Sequence, residues 1–201
     1  MLLKICGLTN EEDALLAVEV GALYLGFIID AKSPRLVNPQ IVRDIASIIP
    51  RHVKIVGVID SRKEPNIDVI LGSSVDIVQL HWAEPESYEK WRHLLSNYDI
   101  GIALAVNSQE GWTLNKIRDI EYLLIDVKNH NSKVTLTTWF KFLSPPLLGV
   151  AGGLRVENLS ILKELNVDLV DVSSGIESKP GKKDPVLMRM FAEKVIGLEL
   201  L

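Results

Sequence analysis

Short runs of apolar, often β-branched residues recur along the chain and predict β-strands. Between them lie longer stretches in which apolar positions return at helical spacing. The predicted strands cover residues 2–6, 23–29, 53–59, 76–80, 100–106, 122–127, 147–153 and 169–174. Strands that alternate with helices at roughly 25 residues per unit predict parallel β/α units.

Start signals for helices stand between several of these strands. Thr9 and Glu12 have the spacing of a capping box, which would begin the first helix. Pro85 suits the first turn of another helix, because a helix leaves its first amide groups without internal partners. Residues 158–165 and 185–195 predict two further helices near the end of the chain.

The spacing of these units favours one closed barrel over the whole of residues 1–201, a single (β/α)8 TIM barrel of the α/β class. An open, doubly wound sheet remains the alternative, because periodicity does not reveal closure. No GxGxxG or GxxxxGK[ST] pattern follows a strand, which argues against a dinucleotide site or a P-loop.

The composition of the chain limits the kinds of molecule that the protein is expected to bind. The chain is 47% hydrophobic and 24% charged, with a net charge of −4, so it is globular and has no basic field for nucleic acid. Its single cysteine excludes an internal disulfide and fits a reducing compartment. No signal peptide or membrane-length apolar run is evident, so we expect a cytoplasmic protein without a membrane partner.

Two residues at predicted strand ends carry candidate acid–base chemistry. Side chains alternate along a strand, and barrel active sites lie at the carboxyl ends of the strands. Cys6 ends the first strand and Asp126 ends an apolar run in the sixth, so both would face one mouth. A lone cysteine is also compatible with a buried apolar role, and Asp126 with a turn cap.

The last two units contain turns suited to an anion. Gly152 and Gly153 lie in AGGLRVEN, and Ser174 and Gly175 lie in DVSSGIES, each between a strand and a helix. Glycine lets the backbone approach a ligand, and the loops after strands seven and eight are the usual phosphate site of this barrel. Arg35, in AKSPRLV, offers a cation for a second anionic group. Plain turns and a solvated arginine are the alternatives.

Several motifs in the same order resemble the phosphoribosylanthranilate isomerase family of tryptophan biosynthesis. They are KICGLTNEEDA, GFIIDAKSPRLV, VGVI, VQLH, LLID, AGGL-x-x-EN and DVSSGIES-x-PG-x-KD, which together span Lys4 to Asp184. The resemblance implies a single-domain (β/α)8 barrel, monomeric or homodimeric, that needs no metal or cofactor. It also implies an Amadori rearrangement of N-(5-phospho-β-D-ribosyl)anthranilate to 1-(2-carboxyphenylamino)-1-deoxy-D-ribulose 5-phosphate.

The resemblance further implies a role for each candidate residue. Cys6 would be the general base at C2 of the ribose, and Asp126 the general acid at the ring oxygen. Arg35 would steer the anthranilate carboxylate. The phosphate cradle would consist of main-chain amides around Gly152, Gly153, Ser174 and Gly175. Lys4, on the same face as Cys6, would either stabilise its thiolate or form a salt bridge within the barrel.

The chain departs from the family pattern in two places. The family has a glycine-rich turn after its catalytic aspartate, whereas DVKNHNSKVTLTTWF contains no glycine, which indicates a reshaped lid. Trp82 stands where the family tends to have glycine, so it would crowd the mouth or stack on a substrate ring. We assign the preceding His81 a structural role.

Two other functions remain open from the sequence. The phosphate turns alone would equally suit another sugar-phosphate isomerase or epimerase on the same barrel. The altered lid would suit a non-catalytic protein that binds a phosphorylated ligand. The joint presence of Cys6, Asp126 and Arg35 favours the isomerase.

Overall fold

A computed structural model describes residues 1–106, 119–126, 145–165 and 167–197. Eight parallel strands form a closed barrel in sequential order, with β8 paired to β1. The strands are β1 (Leu2–Ile5), β2 (Tyr24–Asp30), β3 (Lys54–Asp60), β4 (Ile77–His81), β5 (Gly101–Val106), β6 (Leu123–Asp126), β7 (Leu148–Ala151) and β8 (Leu169–Val172). The predicted barrel is confirmed, and the open-sheet alternative is wrong.

Helices cover the outside of the barrel in the described ranges. They are α1 (Glu11–Glu19), α2 (Pro39–Ile48), α3 (Ile67–Ser73), α4 (Pro85–Leu95) and α5 (Pro185–Gly197). Between β7 and α5 lie a 3₁₀ helix (Val156–Glu164), a 3₁₀ turn (Ser174–Ile176) and a hairpin of β9 (Glu177–Lys179) and β10 (Lys182–Lys183). None of these described helices is long and apolar enough to cross a membrane.

The start of α1 differs from the prediction. Asn10, not Thr9, caps the helix, because the Asn10 side chain accepts a hydrogen bond from the Asp13 amide at 2.9 Å. The Thr9 hydroxyl instead donates to the Gly181 carbonyl at 2.6 Å, far away in sequence. The predicted capping box is therefore wrong, since a tertiary contact recruits the threonine.

Two other predicted helices have different outcomes. Helix α4 begins at Pro85 as predicted and buries Tyr88, Trp91 and Leu95 on one face. The segment predicted as a helix over residues 158–165 is instead a 3₁₀ helix that begins at Val156. The lid predicted after Asp126 lies outside the described residues.

The barrel divides the buried residues into two apolar regions. The larger region packs the outward faces of the strands against the helices. The smaller one fills the barrel interior, where side chains from alternate strand positions meet. Its buried members are Cys6, Val56, Val58, Ile77, Ala103, Tyr122, Leu124 and Leu169. This alternation aims the strand-end residues at the mouth of the barrel.

Candidate active site

A cavity of about 560 Å³ opens at the carboxyl ends of the strands. It is lined by side chains and turns from elements spread over the whole barrel. All seven residues predicted for the site lie on its wall: Cys6, Arg35, Asp126, Gly152, Gly153, Ser174 and Gly175. The structure therefore brings the predicted residues together, while their chemical roles remain predictions.

Cys6 lies directly after β1 and is held there by its backbone. Its amide donates to the Val172 carbonyl of β8 at 2.8 Å, and its carbonyl accepts from Lys183 Nζ at 2.6 Å. The thiol is 8% exposed. Burial raises its pKa above the usual range, and the positive charges of Lys4 and Lys183 oppose that shift. The resting thiol is therefore protonated but stands beside cations that favour the thiolate.

Lys4 forms the salt bridge within the barrel that was one of the two alternatives left open by the sequence. The strand register places it opposite Asp171, and its Nζ donates to Asp171 Oδ1 at 3.0 Å inside the barrel. Burial lowers the pKa of Lys4, but the negative charge of Asp171 outweighs burial and raises it. The ammonium group is charged, and its charge acts against burial to lower the pKa of the Cys6 thiol.

Gly26 of β2 makes room for this arrangement. A Cβ atom at this position would lie 2.8 Å from Cys6 Sγ and 3.1 Å from Lys4 Nζ. The first of these distances is shorter than van der Waals contact allows, so a side chain would displace the sulfur. The missing side chain lets the ammonium and the thiol share the space beside β2.

Asp126 closes β6 on the inward face, two residues beyond Leu124. It is half-buried, and its backbone is in register with Ala151 of β7. Deeper on the same face, the Tyr122 hydroxyl donates to Gln79 Oε1 at 2.9 Å. Burial raises the pKa of Tyr122 well above its usual value, so this phenol is a neutral donor. The Asp126 residue thus lies nearer the mouth than the hydrogen-bonded pair of Tyr122 and Gln79.

Arg35 is clamped by a residue that the sequence did not reveal. Its Nε and Nη2 donate to Glu177 Oε1 and Oε2 at 2.8 and 2.6 Å. Lys183 Nζ donates to the same carboxylate at 3.1 Å. Burial alone would raise the pKa of Glu177, but hydrogen bonds from Arg35 and the charge of Lys183 lower it. Glu177 is therefore an anion, and it fixes the Arg35 guanidinium at the cavity wall.

The turns after β7 and β8 need glycine for two different reasons. Gly152 and Gly153 have φ values of 95° and 68°, which L side chains rarely adopt. Gly175 has no positive φ, but a Cβ atom there would overlap the Leu154 carbonyl oxygen. The two turns pack against each other, and both backbones approach the cavity closely.

The opposite wall carries His81 and Trp82 from the end of β4, with Asp60 and Arg62 from the end of β3. Burial lowers the pKa of His81, so its imidazole is neutral at physiological pH. His81, for which we predicted a structural role, thus also lines the cavity. Within the described ranges, no three His, Cys, Asp or Glu side chains are grouped so that they could hold a metal ion.

Sequence reasoning missed three charged residues around the site. Asp171 alternates with Leu169 and Ser173 along β8, so the rule that placed Asp126 would have found it. Glu177 and Lys183 belong to the DVSSGIES-x-PG-x-KD motif, but their partners Arg35 and Cys6 lie more than 100 residues away. No local pattern indicates such pairings.

A closed barrel with such a cavity at the carboxyl ends of its strands defines a (β/α)8-barrel enzyme. The sequence model of the N-(5'phosphoribosyl)anthranilate (PRA) isomerase family matches residues 3–194. The chain therefore belongs to the N-(5'-phosphoribosyl)anthranilate isomerase family. It is an isomerase of tryptophan biosynthesis.

Individual relatives agree over nearly the whole chain. The N-(5'-phosphoribosyl)anthranilate isomerase of a Nitratiruptor species is 34% identical, over 96% of this chain and 98% of its own. A crystal structure of phosphoribosyl anthranilate isomerase in complex with reduced 1-(o-carboxyphenylamino)-1-deoxyribulose 5-phosphate has a TM-score of 0.77. That enzyme is 32% identical, with coverage of 98% of this chain and 100% of the other.

A third relative bears on assembly. Monomers generated from the dimeric Thermotoga maritima enzyme are 33% identical, with a TM-score of 0.78 and coverage of 98% of this chain and 99% of the other. For this chain, a monomer or a homodimer stays the prediction.

Proposed function

We propose that the protein converts N-(5-phosphoribosyl)anthranilate to its deoxyribulose 5-phosphate isomer, with Cys6 as general base and Asp126 as general acid. One observation carries the proposal. A thiol from the end of β1 and a carboxyl from the end of β6 line the same cavity as the turns after β7 and β8. A sugar held by its phosphate at those turns would lie between an acid and a base.

The first step opens the furanose ring. Asp126 donates its proton to the ring oxygen, the bond between that oxygen and C1 breaks, and the nitrogen lone pair forms a C=N bond to C1. The carboxyl must be protonated when this happens.

The second step removes the proton from C2 of the open chain. The Cys6 thiolate takes it, and the electron pair of the C–H bond becomes the C1–C2 double bond of the enol-amine. A thiol can serve as this base where a cation stabilises its anion. Lys4, held by Asp171 inside the barrel, supplies that cation, because its positive charge lowers the pKa of the thiol.

Binding groups hold the substrate at both ends. The turns that contain Gly152, Gly153, Ser174 and Gly175 would bind the phosphate. Arg35 would bind the anthranilate carboxylate. Glu177 accepts one hydrogen bond from Nε and one from Nη2 of its guanidinium, and none of the described residues accepts from Nη1. The clamp by Glu177 fixes this nitrogen in advance, which lowers the entropic cost of binding.

The test is the loss of substrate fluorescence with purified protein. Cys6→Ser and Asp126→Asn should each slow turnover by about 10²- to 10⁴-fold, the usual contribution of a positioned acid or base. Asp30→Asn is the matched control. Asp30 closes β2 as Asp126 closes β6, but it pairs with Lys63 outside the cavity. Near-normal rates in the first two variants would overturn the assigned roles.

A further inference from the structure

Trp82 has a backbone conformation that tryptophan rarely adopts. Its φ is +60°, in the left-handed region, directly after the end of β4. Ser74 also has a positive φ, but there a small polar residue ends helix α3. A bulky side chain in this region is strained, and such residues persist where the surrounding structure fixes them, often at ligand sites. The strained conformation of Trp82 therefore indicates that its ring contacts a ligand.

Neighbouring side chains fix the position of that ring. The Arg62 guanidinium carbon lies 5.1 Å from the ring centroid in a cation–π contact. The His81 ring packs edge-on, with its centroid 4.8 Å away and the planes at 70°. Arg62 is itself held by Asp60, through Nε and Nη2 at 2.8 and 2.7 Å. The indole is thus part of a preorganised stack.

The ring also remains accessible from the cavity. Trp82 lines the cavity wall and is 38% exposed. In the closed barrel, β3 and β4 lie four strands away from β7 and β8 and therefore on the opposite side of the mouth. The turns assigned to the phosphate and the exposed indole thus stand at the two ends of one cavity, with Cys6 and Asp126 on the wall between them.

We propose that Trp82, clamped by Arg62, is the wall against which the aromatic ring of the substrate packs. It thereby selects sugar phosphates that carry a planar aromatic group on C1. This inference rests on the proposed function. Arg35 follows β2, next to β3, so the carboxylate of an aminobenzoate ring could reach its Nη1 while the ring itself packs on the indole. Aromatic rings attract each other in offset and edge-on contacts.

The test separates the ring from the rest of the ligand. Two probes are titrated: reduced 1-(o-carboxyphenylamino)-1-deoxyribulose 5-phosphate, which carries the ring, and ribose 5-phosphate, which lacks it. Trp82→Gly should weaken binding of the first by about tenfold, within the range of aromatic contacts, and leave the second unchanged. In turnover, KM should rise more than kcat falls, because the ring does not touch the reacting atoms.

Further variants control for damage to the fold. Glycine accepts a positive φ, so Trp82→Gly should unfold at no lower denaturant concentration than the unmodified protein. Trp82→Phe keeps a ring on the same backbone and should restore most of the lost affinity. Tyr98→Ala removes a ring that is equally exposed, at 38%, but lies outside the cavity wall, and both affinities should stay unchanged.

Two results would overturn the inference. Trp82→Gly could bind both probes as tightly as the unmodified protein, or it could lose both affinities equally, which would make Trp82 a support of the mouth alone. Either result, together with normal turnover by the unmodified protein, leaves the proposed function standing. An unmodified protein that neither turns over the substrate nor binds the ring-bearing probe would contradict the proposed function itself.

Discussion

At the scale of single residues, the site depends on one buried cation beside one buried thiol. Lys4 is fully buried, yet it is charged because Asp171 lies 3.0 Å away. Its charge lowers the pKa of Cys6 against the effect of burial. Without the Lys4 ammonium group, the charge of Lys183 would remain, but less positive charge would offset the cost of burying a thiolate in this position.

We therefore expect Lys4→Met to shift the pH dependence of the reaction. In the proposed mechanism Cys6 acts as the thiolate, so kcat/KM should rise with pH as Cys6 ionises. Without Lys4 the pKa of Cys6 is higher, and the rise should move to more alkaline pH. The double variant Lys4→Met with Asp171→Asn also removes the carboxylate that raises the pKa of Cys6, so its shift should be smaller.

The double variant also guards against misfolding, because it leaves no unpaired charge in the barrel. The measurement is kcat/KM across the alkaline range for the unmodified protein and both variants. An unshifted profile in a folded Lys4→Met protein would contradict the influence of Lys4 on the thiol.

The sequence allowed the inward residues to be predicted, but not all of their contacts. Alternation along the strands placed Lys4, Cys6 and Asp126 correctly on the inward face. It did not reveal that Arg35 is held by Glu177, because that pair joins residues 142 apart in the chain. The left-handed backbone of Trp82 was equally hidden, since no residue type near it demands that conformation.

At the scale of elements, the β9–β10 hairpin ties the end of the chain to the first strand. Lys183 of β10 is buried and donates to the Cys6 carbonyl, the Ser173 carbonyl and Glu177 at 2.6, 3.1 and 3.1 Å. One ammonium group thus connects Cys6, the turn after β8 and the carboxylate that holds Arg35. Its neighbour Lys182 is partly exposed and bonds Asp13 and Glu12.

These two adjacent lysines provide a matched pair of variants. Lys183→Met should lower the free energy of unfolding by about 1–3 kcal/mol, because the buried Cys6 carbonyl loses its Lys183 donor, while Arg35 still pairs with Glu177. Lys182→Met should cost less, because the Lys182 ammonium group is partly exposed, and the Lys183 amide and the Asn10 side chain still donate to the buried Asp13 carboxylate. Chemical denaturation measures both values, and equal losses would contradict a special role for Lys183.

The elements themselves were largely predictable, whereas their ends were not. All eight strands appear where the apolar runs predicted them, since each is a short β-branched segment between polar stretches. Thr9 and Asn10 are both common helix caps, and only the contact between Thr9 and Gly181 decides between them. Tertiary contacts of this kind have no signature in the local sequence.

At the scale of the whole molecule, the barrel interior contains a neutral phenol whose ionisation would destabilise the folded state. Tyr122 is fully buried, and burial raises its pKa well above the usual value. The folded protein therefore keeps a proton that the unfolded chain loses above about pH 10. Stability from this group is complete below that pH and declines as the pH rises towards the pKa of the folded state.

Tyr122→Phe should flatten this alkaline decline. Above about pH 10, one proton fewer separates the two states, so the slope of the unfolding free energy should become shallower by about 1.4 kcal/mol per pH unit. Denaturation at several pH values gives the slope, independently of any constant loss from the orphaned Gln79 oxygen. Tyr98→Phe, at an exposed phenol, is the control and should keep the original slope. An unchanged slope for Tyr122→Phe would contradict this account.

The buried layer of Lys4, Asp171, Gln79 and Tyr122 has one more consequence. In the part of the barrel that the structure describes, these side chains fill the interior along the barrel axis. A ligand therefore reaches Cys6 and Asp126 through the mouth lined by Arg35 and Trp82. Substrate entry and product release then use the same opening. Each product molecule has to dissociate before the next substrate molecule can bind.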